Sequence, residues 1–201
     1  TAISLQIKFS QKYYTLSNSP LGGAGGLELS MADLNRKSVE EFKQSEKNPV
    51  IGVLENIRSA YNVGSVFRTA DAFLLEGIYI TGYTCIPPHK EIKKTALGAE
   101  ETVDWKHFAN GTEAIRSLKK DGYKVYAIEQ VMNSLPLQQI DFKHNEKIAV
   151  IFGNEVTGVE QNTILQCDGC IEIPQLGMKH SINIATAAGV VLWEIVRGRI
   201  K

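Results

Sequence analysis

From residue 50 onward, short apolar-rich runs alternate with stretches of helical spacing. Val50–Leu54, Ile78–Thr81, Tyr123–Ile128, Lys147–Phe152 and Ile171–Ile173 read as strands, and several end in polar or glycine-rich loops. Asn62–Leu75 has helical periodicity. A second helix is predicted with Thr112 as its cap and Gly122 as its stop. The third and longest covers Ser181–Arg197, with Ile184, Ala188, Val191, Leu192 and Ile195 on one face. Buried strands separated by helices imply an α/β domain whose mostly parallel sheet is flanked by helices. No internal repeat is visible. In such sheets ligands bind beyond the carboxyl ends of the strands, so the loops there are the places to look for chemistry.

The start of the chain follows a different pattern. Leu21-Gly22-Gly23-Ala24-Gly25-Gly26 favours neither helix nor strand, and residues 1–30 are expected to form a flexible segment. It is also a poor phosphate loop, because no strand precedes it and no Gly-Lys-Ser/Thr follows. From Met31, Leu34, Val39 and Phe42 lie among charges in a short amphipathic helix that a break at Pro49 closes, giving a helical extension over residues 31–48. Its Arg36, Lys37, Lys43 and Lys47 balance Asp33, Glu40, Glu41 and Glu46, so a solvated face is favoured over an RNA-binding arm. The main domain then runs from residue 49 to 201.

Composition narrows this picture. Twenty-two Lys and Arg against 22 Asp and Glu give a net charge of zero, which argues against a general polybasic nucleic-acid binder but not against a local patch. A hydrophobic share of 43% in 201 residues supports one sizeable core. No apolar run approaches the roughly 18 residues of a membrane span. Without a signal-like apolar stretch near the start, and with an odd three cysteines, a cytoplasmic location is expected.

Three segments after strands carry the candidate chemistry. In the first, Asn62 and Arg68 lie six apart, with Gly64, Ser65, Thr69 and Ala70 leaving room for an anion or a sugar. The two would converge if Asn62 caps the helix; on residue type alone, a surface Arg with a structural Asn cap is the plainer reading. The second is Phe152-Gly153-Asn154-Glu155-Val156-Thr157-Gly158, where a strand ends in a glycine that permits close backbone approach. Glu155 is open to reading as a base, a sugar binder or an organiser of loop amides, the last being favoured. The third is Ile173-Pro174…Gly177…Ser181-Ile182-Asn183, in which Ser181 is expected to cap a helix of small residues suited to close packing.

In this order and spacing, these segments closely resemble the SpoU family of RNA ribose 2′-O-methyltransferases, within the SPOUT superfamily (TrmH-like), over residues 50–198. The resemblance implies an α/β fold whose C-terminal segment forms a trefoil knot. It also implies S-adenosylmethionine as cofactor, tRNA or rRNA as substrate, and a homodimer with the small-residue C-terminal helix in its interface. No strand-linked GxGxG loop is present, so a Rossmann-type methyltransferase is not indicated. By the resemblance, Ile128, Gly153, Ile173, Gly177 and Ile182 hold the cofactor. Arg68 is the catalytic residue, with Asn62, Glu155, Ser181 and Asn183 around it. A guanidinium is not deprotonated under ordinary conditions, so Arg68 is read as stabilising the developing 2′-oxyanion and not as a base.

Three further features bear on function. Pro87–Lys94 contains three lysines and one glutamate and reads either as a solvated loop or as an RNA phosphate contact; Arg58, Lys90, Lys93 and Lys94 are the candidate RNA-binding residues. Cys167 and Cys170 form a CxxC without a second pair, so no metal is expected even with Cys85 and His180 considered. By the resemblance, members with a basic C-terminal tail tend to clamp tRNA; here such a tail is expected to be short or absent, which leaves tRNA only slightly favoured over rRNA. A non-catalytic RNA-binding protein of the same fold, and a knotted methyltransferase acting on a base, are the alternatives.

Overall fold

The computed structural model describes residues 6–9, 12–15, 37–178 and 181–200. The chain divides into two units, residues 1–36 and 37–201. In the first, β1 (Gln6–Phe9) and β2 (Lys12–Thr15) form an antiparallel hairpin with Gln6 opposite Thr15 and Phe9 opposite Lys12. The glycine-rich stretch 21–26 and residues 31–36 of the expected extension lie outside the described residues.

The second unit opens with α1 (Val39–Gln44), a single amphipathic turn and a half that buries Phe42. Its start is a capping box: the Ser38 hydroxyl accepts from the Glu41 amide, and the Glu41 carboxylate accepts from the Ser38 amide. There follow β3 (Asn48–Glu55), α2 (Ala60–Ala72), β4 (Leu75–Thr81), α3 (Lys90–Ala96), α4 (Ala99–Thr102) and β5 (Trp105–Phe108). The remainder is α5 (Gly111–Lys120), β6 (Lys124–Ile128), β7 (Leu135–Pro136), β8 (Ile148–Phe152), α6 (Gln161–Ile164), β9 (Gly169–Glu172) and α7 (Ile184–Arg197).

Seven strands pair in the order β5-β4-β3-β8-β6-β9-β7, and every pairing is parallel. The α/β reading from the apolar runs therefore holds. Along β3, Val50 and Leu54 join the core on one face with α2 and α7, while Ile51 and Val53 join the other with Ala114, Ile115 and Leu118 of α5. All five residues of β8 are buried, which is why that strand reads as an unbroken apolar run and not as an alternation.

Several boundaries move from their sequence-based positions. Pro49 does not end the extension but lies inside β3, where the pairing with β4 shifts register between Asn48 and Ile51, because proline has no N–H to give the ladder. Helix α2 begins at Ala60 with Ser59 as cap, so Asn62 is its third residue and not its cap. Asn110, not Thr112, caps α5, and Asn183, not Ser181, caps α7. The Pro87–Lys94 segment is not a loop throughout: His89 caps α3 and the three lysines are helical.

Candidate active site

The loops after β6, β8 and β9 converge with the start of α7 around a cavity of about 430 Å³. This is the carboxyl edge of the sheet, where a parallel α/β fold leaves its crevice. Of the residues expected to bind cofactor, Ile128, Gly153, Ile173 and Ile182 line the cavity; Gly177 does not and is exposed. A Cβ at Gly153 would overlap the backbone of Gly158 and Val159, so this glycine is required by the tight turn-back of its own loop. Three carboxylates (Glu129, Glu155 and Glu172) line the cavity, with no lysine or arginine among the described lining residues. The volume suits a ligand of nucleoside size, within the roughly 300–1,000 Å³ of small-molecule sites. Ile128, Phe152, Ile171 and Ile173 offer an apolar wall to a base, and the acidic lining suits a cationic ligand better than a phosphate. Those properties fit S-adenosylmethionine, whose sulfonium is positive.

At one wall of the cavity the three sequence segments are joined by hydrogen bonds. Glu155 accepts from the Arg58 amide at 3.0 Å, the Ser59 amide at 3.2 Å and Asn62 Nδ2 at 3.0 Å. Asn183 Nδ2 donates to Asn62 Oδ1 at 3.2 Å, while Asn183 Oδ1 accepts from the amides of Ala185 and Thr186 at the start of α7. Partial burial pushes the Glu155 carboxyl up, but the amides of Arg58 and of Glu155 itself, the Asn62 amide and the Ser59 amide outweigh it. The carboxyl therefore titrates below the usual glutamate range. A carboxylate so held is a poor proton acceptor, and its observed contacts are those of an organiser of amides at the start of α2. Ser181 lines the same cavity and is exposed.

Arg68 lies apart from this network. Six residues on from Asn62, it sits about 120° around α2 and about 9 Å along it. It lines a second groove of about 460 Å³ with Ser65, Thr69, Phe73, Lys94, Thr95 and Gly189. Arg68 is exposed, and its guanidinium has no hydrogen bond or ion pair among the described residues. Among the described residues this groove carries two cations and no carboxylate, and the cavity the reverse. Helices α2 and α3 approach closely here, since a Cβ at Gly64 would run into Thr95 and the Ile92 carbonyl. Lys94 stands 3.4 Å from the Tyr61 hydroxyl and over its ring, Lys93 reaches Glu101 at 4.0 Å, and Lys90 and Arg58 are exposed.

Residues to which the sequence assigned no role support the site. Asn154 Nδ2 donates to the Asn56 carbonyl at 2.8 Å and to the Tyr83 hydroxyl at 2.7 Å, and its Oδ1 accepts from the amides of Val156 and Thr157. Glu129 accepts from the Val159 amide at 3.0 Å. The cysteines are free. Burial, with Cys170 adding to it, pushes the Cys167 thiol up to about 12, and its Sγ donates to the Thr163 carbonyl. No group of three or more His, Cys, Asp and Glu suited to a metal occurs among the described residues. Nor is any described helix long and apolar enough to cross a membrane.

A parallel α/β sheet with a nucleoside-sized cavity at its carboxyl edge, joined to three hydrogen-bonded motifs, defines a cofactor-binding class of protein. Residues 49–193 match the SpoU rRNA Methylase family, and the chain belongs to that family. It is 31% identical over 170 residues to tRNA (guanosine(18)-2′-O)-methyltransferase of Thermus thermophilus, which covers 84% of this chain and 85% of the relative. It is 28% identical over 168 residues to the 23S rRNA (guanosine-2′-O-)-methyltransferase RlmB of Acinetobacter baylyi, covering 83% of this chain and 67% of that one. The AdoMet-bound rRNA methyltransferase from Sinorhizobium meliloti superposes with a TM-score of 0.71 at 28% identity, over 78% of this chain and 59% of that chain. The chain thus spans less than two thirds of that protein. The TrmH/SpoU tRNA modifying enzyme of A. aeolicus has the same fold, with a TM-score of 0.71 at 23% identity over 80% of each chain.

Proposed function

We propose that the protein is an S-adenosylmethionine-dependent methyltransferase that methylates a ribose 2′-hydroxyl of tRNA or rRNA. The observation that carries this reading is the bond chain Glu155–Asn62–Asn183, which ties all three motif segments together beside a cavity of about 430 Å³ whose described lining includes three carboxylates. Ile128, Gly153, Ile173 and Ile182 would hold the cofactor, which supplies an electrophilic sulfonium methyl when bound. The remaining work falls to the chain. Asn62 and Asn183 present amide groups to the ribose, and Glu155 keeps Asn62 in place. Arg68 stabilises the charge that develops on the 2′-oxygen, and RNA phosphate assists proton removal, because the guanidinium itself keeps its protons. Lys90, Lys93, Lys94 and Arg58 take the RNA backbone; the groove that Lys94 lines, with Arg68 and without a carboxylate among its described residues, supports this.

The same reading includes a C-terminal trefoil knot and a homodimer in the cytoplasm. In support, the segment after β9 returns to place α7 against α2, where Phe73 and Trp193 rings lie 5.8 Å apart. Val190 and Trp193 stay 41% and 48% exposed on α7, an apolar face suited to a second copy. A dimer that sets the cavity of one subunit beside the Arg68 groove of its partner would bring together charges that one chain keeps apart. The test is to incubate the protein with labelled S-adenosylmethionine and total RNA lacking ribose methylation, then map the product. Label in a 2′-O-methylnucleoside is expected. Label in a base, or none with cofactor bound, refutes the assignment.

A further inference from the structure

The carboxyl end of β3 carries a buried acid that takes no part in the chemistry above. Glu55 is 1% exposed. Its Oε2 accepts from the Glu160 amide at 2.8 Å, and its Oε1 accepts from the Thr163 hydroxyl at 2.6 Å. No cation forms an ion pair with it among the described residues. A Cβ at Gly111 would run into Glu55 Oε1 and the Thr163 side chain, so the walls close tightly on this carboxylate. A buried acid without a cationic partner is costly to keep, and burial pushes its titration up against the two bonds that lower it. An apolar side chain would fill the volume at less cost, but it would leave the Glu160 amide and the Thr163 hydroxyl unmatched.

The next residue repeats the attachment. Asn56 has a left-handed backbone, with φ of 54°. Its Nδ2 donates to Glu160 Oε1 at 2.6 Å, and its carbonyl accepts from Asn154 Nδ2 at 2.8 Å. Two consecutive residues at the end of β3 therefore grip both ends of the 153–160 loop. That loop contributes Gly153, Asn154, Glu155, Val156 and Gly158 to the cavity. Glu55 itself lines neither the cavity nor the groove.

We propose that Glu55 is a positioning residue that, through Thr163 and the Glu160 amide, fixes the height of the 153–160 loop over the strand ends and so sets cofactor affinity. The proposal rests on the reading of the cavity as the S-adenosylmethionine site. Three variants separate its parts: Glu55→Gln, Glu55→Leu and the milder Thr163→Val, which keeps the claim testable if the leucine variant does not fold. In Glu55→Gln the carbonyl still accepts from the Glu160 amide, and the side-chain NH2 donates to a Thr163 hydroxyl that turns to accept.

Binding of S-adenosylhomocysteine by calorimetry, KM and kcat for S-adenosylmethionine, and hydrogen exchange across 153–160 without ligand are the readouts. Glu55→Gln is expected to bind within about twofold of the natural protein. Glu55→Leu is expected to weaken binding about tenfold or more, and Thr163→Val severalfold; in both, KM rises far more than kcat falls and exchange across the loop speeds up. Leucine or valine variants that lose thermal stability but bind and exchange as the natural protein does would reduce Glu55 to a core residue and overturn the proposal. So would a glutamine variant as weak as leucine. If the natural protein binds no S-adenosylhomocysteine, the cavity reading fails and the affinity claim fails with it, while exchange still judges the clamp.

Discussion

Asn183 has two separable duties, and two substitutions divide them. Its Oδ1 caps α7 through the amides of Ala185 at 2.8 Å and Thr186 at 3.4 Å, while its Nδ2 reaches Asn62 Oδ1 at 3.2 Å. Asn183→Ala removes both. Loss of the cap costs about 1 kcal/mol. The exposed bond to Asn62 adds roughly 0.5 kcal/mol at most, since water replaces it readily. For a chain of this length each 1 kcal/mol shifts Tm by about 2–4 °C, so a drop of about 2–6 °C is expected. Asn183→Ser restores an acceptor for the helix amides but has no amide to hold Asn62. It should therefore melt close to the natural protein while turnover stays down by about tenfold, equivalent to about 1.4 kcal/mol of lost alignment. Differential scanning fluorimetry and labelled methyl transfer at saturating cofactor measure the two effects side by side. A serine variant with full turnover would refute the claim that the Asn62 bond positions anything. An alanine variant with unchanged Tm would refute the cap.

Other perturbations probe the remaining parts. Glu155 titrates below its ordinary range in the folded protein, so the stability it contributes is present above that range and is lost as pH falls through the folded value. Glu155→Gln should therefore lower Tm near neutral pH, and the gap should close in acid below about pH 4; a gap that widens in acid contradicts the sign. Arg68→Lys keeps the charge but loses the planar fork, and most turnover should go with cofactor affinity intact, as calorimetry would show. Charge reversal at Lys93 and Lys94 should weaken RNA binding and flatten its salt dependence while leaving cofactor affinity unchanged, measured by filter binding across a salt series. Gly153→Ala forces a Cβ into backbone at Gly158 and Val159, and should cost about 3 kcal/mol or more with loss of cofactor binding; a stable, binding variant would show that the loop can move aside.

The strands of the sheet centre are legible because both of their faces are buried, so β8 is apolar throughout and β3 carries no polar side chain between Val50 and Leu54. Helix α3 was not, since only Ile92 and Ala96 face the core and the remainder reads as a charged loop. Strand β5 was hidden for a related reason: it is an edge strand with Lys106 and His107 exposed. The caps slipped by two or three residues because polar residues cluster at each helix start, as in Ser59/Asn62, Asn110/Thr112 and Ser181/Asn183, and only the backbone conformation selects one. The three motif segments were recognisable as sequence. What sequence does not contain is Glu55 reaching Thr163 across 108 residues, or the distance between Arg68 and the network its neighbour Asn62 belongs to.

The bonds that unite the site also order its birth. Asn62 meets Glu155 across 93 residues and Asn183 across 121, so no fragment of the chain contains a working site in miniature. Such distant pairings raise contact order and slow folding, because loop closure must precede any reward from the contacts. During synthesis, the early strands can pair long before the start of α7 exists to grip Asn62. Competence for the cofactor should then appear late and in a single step, which would make ligand binding a sensitive report that the whole domain has finished folding.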